Sequence, residues 1–374
     1  MLGVAMFCGQ FPSFLFSIAG GVASDRYNRF NVMLTTQAAS LIQAVILTIL
    51  VYLGDYSVWH ILTLSVVLGI INAFDVPARQ ALIYDMVSNK EHLSNAIALN
   101  SSMVNVTRLI GPALAGLVLT TFGASLCFLS NAISFLTVIF SLLLMKLPEY
   151  VPKERVSNAL TDLREGFVYL KQSPDIGRII LMLAFTSFFS LPYVTLLPVY
   201  AKTIFSGNAS TFGLLNSFVG LGALSGALFL ASLKPGSDLK KILFRCTIIF
   251  GVGLTAFSYM PTLPFALVCI VCAGFGMMSQ TTISNTLIQT TVAPTMRGRV
   301  ISFYAMAFFG MQPFGGLLAG WMAHRFGAPL TILIQGIITL IIALSFMPFL
   351  GRGILMKKQK MKLDQLEEQA VEAT

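Results

Sequence analysis

Three ionisable side chains stand where the surrounding sequence is otherwise apolar: Asp75 and Arg79 in the stretch 58–84, and Arg108 in the stretch 94–119. Inside a bilayer each such group costs about 2.5–3.5 kcal/mol on insertion scales, so it needs a partner or a function. Asp75 and Arg79 are four residues apart with the acid first, the order in which a helix pairs them on one face. At about 1.5 Å of rise per residue, Asp75 lies roughly 15 Å and Arg108 roughly 20 Å from the inner ends of their helices. An arginine side chain spans that difference, so the expected cluster is Asp75 with Arg79 and Arg108. Two chemistries are open to it: a structural ion pair, or an Asp75 that takes up and releases a proton as its surroundings change.

Other chemistry is scarce. His60, His92 and His324 are scattered, and neither an H-E-x-x-H nor a Gly-rich phosphate loop is present. Cys269 and Cys272 form a C-x-x-C, but no second pair or nearby His completes a zinc set. With Cys8, Cys127 and Cys246 they fall in apolar stretches and read as buried, inert thiols. The sequence therefore gives no reason to expect a metal, a cofactor, a catalytic residue or an enzyme.

The elements that position the charges follow from composition. Of 374 residues, 56% are hydrophobic and 10% charged, with a mean hydropathy of +0.81. A soluble domain carries about 25% charged residues, which excludes a soluble protein. A helix crosses the hydrocarbon core in about 20 apolar residues. Eleven such segments are read at 2–23, 32–53, 58–84, 94–119, 123–146, 177–201, 211–233, 242–260, 263–290, 300–323 and 328–350. Continuous runs of this length exclude a β-barrel, which needs short alternating strands. The expected fold class is an all-α polytopic membrane protein.

All Lys and Arg residues except Lys202, Arg325 and Arg108 fall on one face of these spans. By the positive-inside rule that face is cytoplasmic, so Met1 starts outside and Thr374 ends inside. The net charge of +9 is thus a topology signal and implies no nucleic-acid partner. The expected location is a membrane crossed many times, with the basic face toward the cytoplasm.

An internal repeat divides the chain. Leu114-Ala115-Gly116 with Phe122-Gly123-Ala124 recurs as Leu318-Ala319-Gly320 with Phe326-Gly327-Ala328, and Leu82-Ile83 with Val87 recurs as Leu287-Ile288 with Val292. Parallel repeats of six helices are a transporter architecture. The sixth span should then have a counterpart before Met1, so the chain reads as two six-helix repeats without the first helix. The expected units are an N-terminal half, 1–146, a linker, 147–176, a C-terminal half, 177–351, and a tail, 352–374. In the linker, Ser157 can cap a helix with Leu160, Leu163, Phe167 and Leu170 on one face, lying on the membrane surface. Lys357, Lys358, Lys360 and Lys362 in the tail suit lipid headgroups.

The loop Gly21-Val22-Ala23-Ser24-Asp25-Arg26-Tyr27-Asn28-Arg29 resembles the G-x-x-x-D-R-x-x-R signature of the major facilitator superfamily, and Arg297-Gly298-Arg299-Val300 resembles the corresponding loop of its second half. The likeness covers essentially the whole chain. It is nearer still to the enterobactin-exporter and macrolide-efflux branch through Ala73-Phe74-Asp75-Val76-Pro77-Ala78-Arg79-Gln80-Ala81, Asn95-Ala96, Asn100-Ser101, Gly111-Pro112 with Gly116, Asn285, Gln289 and Phe308-Phe309-Gly310 with Pro313.

This resemblance implies an exporter of small amphipathic organic compounds, siderophore- or drug-like, working as a proton antiporter by alternating access and without a cofactor. It implies a gate in which Gly21 lets helices approach, Asp25 beside Arg26 locks against the helix that begins near Arg297 and Arg299, and Arg29 reaches Asp85. Asn72, Asn105, Tyr193, Asn216, Gln280, Asn285 and Gln312 are the candidate cavity residues, each with an interhelical hydrogen bond as its plainer reading. Pro77, Pro192, Pro198 and Pro313 are expected to interrupt spans, and Gly111-Pro112 to break the fourth one. Expected partners are the substrate, protons and the lipid bilayer, around a monomer. A truncated inactive transporter, a channel and a membrane-embedded enzyme are the competing readings.

Overall fold

The computed structural model describes residues 1–54, 56–86, 93–145, 159–234, 236–293 and 296–347. All regular structure among them is helical. Five long helices come first: α1 (Leu2–Arg26), α2 (Arg29–Leu53), α3 (Val58–Met86), α4 (Leu93–Phe122) and α5 (Ala124–Leu144). The short α6 (Ala159–Gln172) leads to α7 (Pro174–Phe189), α8 (Ala209–Ala231), α9 (Leu239–Tyr259), α10 (Leu263–Thr291), α11 (Arg297–Ala305) and α12 (Met311–Phe326). The described residues end in α13 (Ala328–Met347). After α7 the path tightens into a 3-10 turn over Leu191–Leu196 and widens into a π turn over Tyr200–Ile204. A second π turn, Met306–Gly310, joins α11 to α12.

Among the described residues, 10 helical stretches are long and apolar enough to cross a bilayer. The first expected span is also helical, in α1, but its described apolar run is shorter, Leu2–Ser17. The fold class is all-α and polytopic, as the composition required.

Local chemistry sets the helix ends. Asn28 caps α2 by accepting from the Phe30 N–H, and Asp238 caps α9 by accepting from the Lys241 N–H. Asn208 and Thr211 form a reciprocal capping box at the start of α8. The repeated Phe-Gly-Ala motif makes the same turn twice: Gly123 and Gly327 both have φ of +84°, a region that side-chain-bearing residues rarely adopt.

Proline does not act as a breaker in α3 or α4, which run as continuous helix through Pro77 and through Gly111-Pro112. The expected break of the fourth span is therefore absent. A helical proline leaves the carbonyl four residues earlier without its N–H partner. The carbonyls freed by Pro77 and Pro112 are each met by a glycine of a neighbouring helix. Gly20 of α1 lies against the Ala73 carbonyl freed by Pro77, and Gly220 of α8 lies so near the Arg108 carbonyl freed by Pro112 that an added Cβ would sit 2.6 Å from it. Gly315 of α12 lies against the Phe188 carbonyl, four residues before Pro192. The neighbour shields these carbonyls at a distance only glycine permits, with weak Cα–H contacts as the available compensation.

The C-terminal helices hold most of the core. One apolar cluster gathers Tyr193, Tyr200, Phe250, Phe257, Ile270 and Ile332, and another gathers Met182, Leu183, Leu243, Ile283, Leu287 and Val300. The N-terminal helices have a small one, built on Met33, Leu82 and Leu142.

Two seams join the N-terminal helices to the C-terminal ones. In the first, Gly3 of α1 meets the Gly316 carbonyl of α12, Phe7 and Phe11 each set an edge against Phe314 at 5.6 Å, and Phe14 covers Gly310. In the second, α4 crosses α8: Gly213 meets the Pro112 carbonyl, and a Cβ on Gly116 would lie 2.7 Å from the Ala209 carbonyl. Both seams lie toward the end of the helices opposite the basic loops.

The linker helix α6 docks on α11. Glu165 and Arg299 form an ion pair at 2.7 Å, Gly166 packs on Phe303, and the Ala293 N–H donates to the Tyr169 hydroxyl at 3.4 Å. Phe167 stays exposed. Ser157 and the tail lysines lie outside the described residues, as do the side chains of Leu160 and Leu163.

Candidate functional site

The Asp75 carboxylate is only 6% exposed and is held by donors from two helices. Its Oδ1 accepts from the Gln37 amide Nε2 at 2.7 Å and from the Thr36 hydroxyl at 2.9 Å, both on α2. Its Oδ2 accepts from Arg79 Nε at 3.1 Å and Nη2 at 2.7 Å, one turn further along α3. An ionised carboxylate is acceptor-only, and these four bonds fill it. Arg79 balances the charge while leaving half of its own side chain exposed. The pair predicted from i, i+4 spacing is thus present. The small residues Gly20 and Ala73 bring α1 onto α3 two residues before the carboxylate.

Arg108 is not one of these donors, which corrects the expected three-member cluster. It is exposed on α4, and α4 packs chiefly on α8 and hardly on α3. Thr36 and Gln37 stand in its place and were not foreseen. The available signal was a Thr-Gln pair inside an apolar span.

The gate residues fall as follows. Gly21 faces open space, and the close approach expected of it is made by Gly20, one residue round the helix. Asp25 and Arg26 end α1, but their side chains and that of Asp85 lie outside the described residues. Arg29 opens α2 and donates from Nε to the Ser24 carbonyl at 3.3 Å. Arg299 pairs with Glu165, and the buried Arg297 Nε has no hydrogen-bond partner.

The cavity candidates separate into two groups. Asn72 and Gln312 are half-buried on α3 and α12; Asn216 donates to its own helix at the Phe212 carbonyl, and Asn285 accepts from Gln289 at 3.0 Å. Tyr193 and Gln280 are buried inside the C-terminal helices, away from any open face. Tyr193 sets its ring against Phe250 at 6.1 Å, and Gln280 donates to the Thr186 hydroxyl at 2.9 Å. The Asn105 side chain lies outside the described residues.

Gln280 is one of several buried polar residues of the C-terminal helices, with Thr186 and Ser187 on α7, Ser190 just past its end, Ser279 and Ser284 on α10, and Gln335 and Thr339 on α13. Thr339 donates to Ser190 at 2.6 Å, tying α13 to the end of α7. Each of these residues is neutral. Of the cysteines only Cys246 is buried; Cys8, Cys127 and Cys269 are half-buried and Cys272 is exposed, which corrects the expectation of uniform burial. Among the described residues no group of three His, Cys, Asp or Glu could hold a metal ion.

The described residues thus form a bundle of helices of membrane-spanning length, with a caged carboxylate at Asp75 and glycine-lined seams. The chain belongs to the transmembrane secretion effector family, whose model matches residues 1–373. The resemblance to the major facilitator superfamily read from the loop and helix motifs is confirmed by this match. The chain is 28% identical over 370 residues to the staphyloferrin A transporter of Staphylococcus aureus, covering 97% of this chain and 89% of that protein. It is 23% identical over 352 residues to macrolide efflux protein A of Streptococcus pyogenes, covering 92% and 86%. The enterobactin exporter EntS of Salmonella typhimurium is 27% identical over 352 residues, covering 94% and 82%.

Among solved structures, a mutant of the nucleoside transporter NupG superposes with a TM-score of 0.71 at 14% identity, covering 93% and 90%. A POT family transporter in complex with 5-aminolevulinic acid superposes at 0.72 and 13% identity, covering 94% and 88%. At these identities the structures show the fold alone. This protein is a multi-pass membrane transporter of small organic compounds and not an enzyme.

Proposed function

We propose that the chain is a secondary active exporter of small amphipathic organic compounds, siderophore- or drug-like, driven by a proton gradient through alternating access. The observation that carries this is the Asp75 cage, a buried carboxylate inside a span, bonded to two helices and to an arginine half-open to its surroundings. Intramembrane ionisable groups mark proton relays and substrate pathways. Uptake of a proton by Asp75 frees Arg79 from the carboxylate and rearranges the bonds between α3 and α2, which couples the gradient to a helix movement.

The two seams support an arrangement closed at the end away from the basic loops. With the basic face cytoplasmic, that end is the outer one, Met1 lies outside and Thr374 inside the inner membrane. Division into an N-terminal half (1–146), linker (147–176), C-terminal half (177–351) and tail (352–374) belongs to the same reading. So does a gate of Gly21, Asp25, Arg26, Arg29 and Asp85 working against Arg297 and Arg299, in a monomer. The relatives' substrates support the choice of staphyloferrin A, enterobactin and a macrolide as first probes.

The test is transport in liposomes under an imposed pH gradient. Export of at least one probe should saturate and follow the gradient. The Asp75→Asn variant should lose uphill export and keep downhill exchange. Unchanged gradient-driven export in that variant overturns the reading and leaves the cage a structural ion pair.

A further inference from the structure

We infer that Gln37 is the positioning residue that lets the Asp75 site exist both ionised and protonated, by turning its amide over. The inference rests on the reading of Asp75 as the proton site. Gln37 is 1% exposed. Its Nε2 donates to Asp75 Oδ1 at 2.7 Å, while its Oε1 is buried without any hydrogen-bond partner. A buried amide oxygen left unpaired is unfavourable, and native interiors keep few of them. This one lies on the same amide that touches the carboxylate.

The chemistry supplies its use. Protonation turns Asp75 from an acceptor into a donor, and its O–H then needs an acceptor. Arg79 has none to offer. A half-turn of the Gln37 amide replaces N–H···O⁻ by O–H···O=C, so Oε1 becomes the acceptor of the acid proton. Thr36 is built for the same exchange: its hydroxyl lies 2.9 Å from Asp75 Oδ1 and 2.9 Å from the Met33 carbonyl, and its single proton serves one or the other. The proton is therefore placed on Oδ1, the oxygen facing α2.

The balance is simple. One proton is gained by the carboxylate, no other bond order changes, and the site passes from net zero to net +1, with Arg79 free to leave Oδ2. Among the charged groups near this site, Arg79 of α3 is bonded to the carboxylate. α2 presents neutral Thr36 and Gln37 there, with Arg29 engaged at Ser24. From α1 the described approach is Gly20, the Asp25 and Arg26 side chains lying outside the described residues; Arg108 of α4 is exposed.

The test is infrared difference spectroscopy of the full-length protein in lipid, between high and low pH, with and without ¹³C in the glutamine side-chain carbonyl. The expected result is a carboxylic acid C=O band at low pH that vanishes in Asp75→Asn, accompanied by an isotope-sensitive glutamine band that vanishes in Gln37→Met. In Gln37→Met the acid band should move to higher frequency, as its O–H loses the acceptor, and gradient-driven export should fall about tenfold, the value of a charge-assisted hydrogen bond. An acid band that persists in Asp75→Asn refutes the proton-site reading itself. An acid band lost in Asp75→Asn but unaccompanied by any glutamine band in the wild-type protein refutes the Gln37 inference alone. That second measurement needs no variant at position 37, so poor folding of Gln37→Met does not shield the idea.

Discussion

In the N-terminal helices the buried polar residues include a charge, Asp75, whose acceptor positions are all filled, beside the neutral Ser24, Thr36, Gln37, Ser40 and Gln43. In the C-terminal helices the buried polar residues are neutral hydroxyls and amides, and Ser187, Ser284 and the Gln335 oxygen lack partners. Packing differs in the same sense. The apolar window of α4 is 6% buried and that of α5 11%, against 61% along Pro174–Ile204. A charge cannot be left unpaired in a membrane, whereas a neutral hydroxyl without a partner costs only about 1–3 kcal/mol, which dense packing offsets. The C-terminal helices are the more densely packed set. The N-terminal ones carry a group whose bonding must change as a unit when its charge changes.

Substitutions should break this contrast in opposite directions. The largest effect is expected from Asp75→Asn, which should abolish accumulation against a gradient in liposomes while the detergent-solubilised protein unfolds within a few degrees of wild type. Next come the glycines that lie against a carbonyl of a neighbouring helix. Gly220→Leu, at the seam between the two groups of helices, should slow transport at least about tenfold, from an overpacking cost of about 1–3 kcal/mol on the closed arrangement. Gly315→Leu presents the same clash inside the C-terminal helices, and should lower the unfolding temperature more than Gly220→Leu does. Equal thermal losses in the two variants would remove the distinction between a moving seam and a fixed one.

Smaller changes probe the neutral polar residues. Thr339→Val deletes the bond to Ser190 and should cost about 1 kcal/mol of stability by chemical denaturation, with transport within about twofold of wild type. Glu165→Gln opens the partly exposed pair with Arg299 and should change stability by about 0.5 kcal/mol or less. A large transport defect from that variant would instead give α6 an active part in the gate.

The sequence by itself determined where the membrane lies along the chain, because apolar runs near 20 residues admit no other solvent, and it determined which ends carry the positive charge. It fixed Asp75 with Arg79 through helical spacing alone, and it marked Gly123 and Gly327 as one turn used twice. Tertiary structure decided the rest of the site. Thr36 and Gln37 are 39 and 38 residues from Asp75, and only the contact of α2 with α3 brings them there, while the contact of α4 with α8 carries Arg108 away. It likewise decided that Pro77 and Pro112 do not break their helices. A proline frees a carbonyl and crowds the preceding turn, and what meets that carbonyl is set by the neighbouring helix. Here Gly20 and Gly220 face it, on helices 53 and 112 residues away (73 minus 20; 220 minus 108). Periodicity and composition are local and survive in one dimension. Which faces meet is a property of packing, and that is where this protein's polar chemistry is assembled.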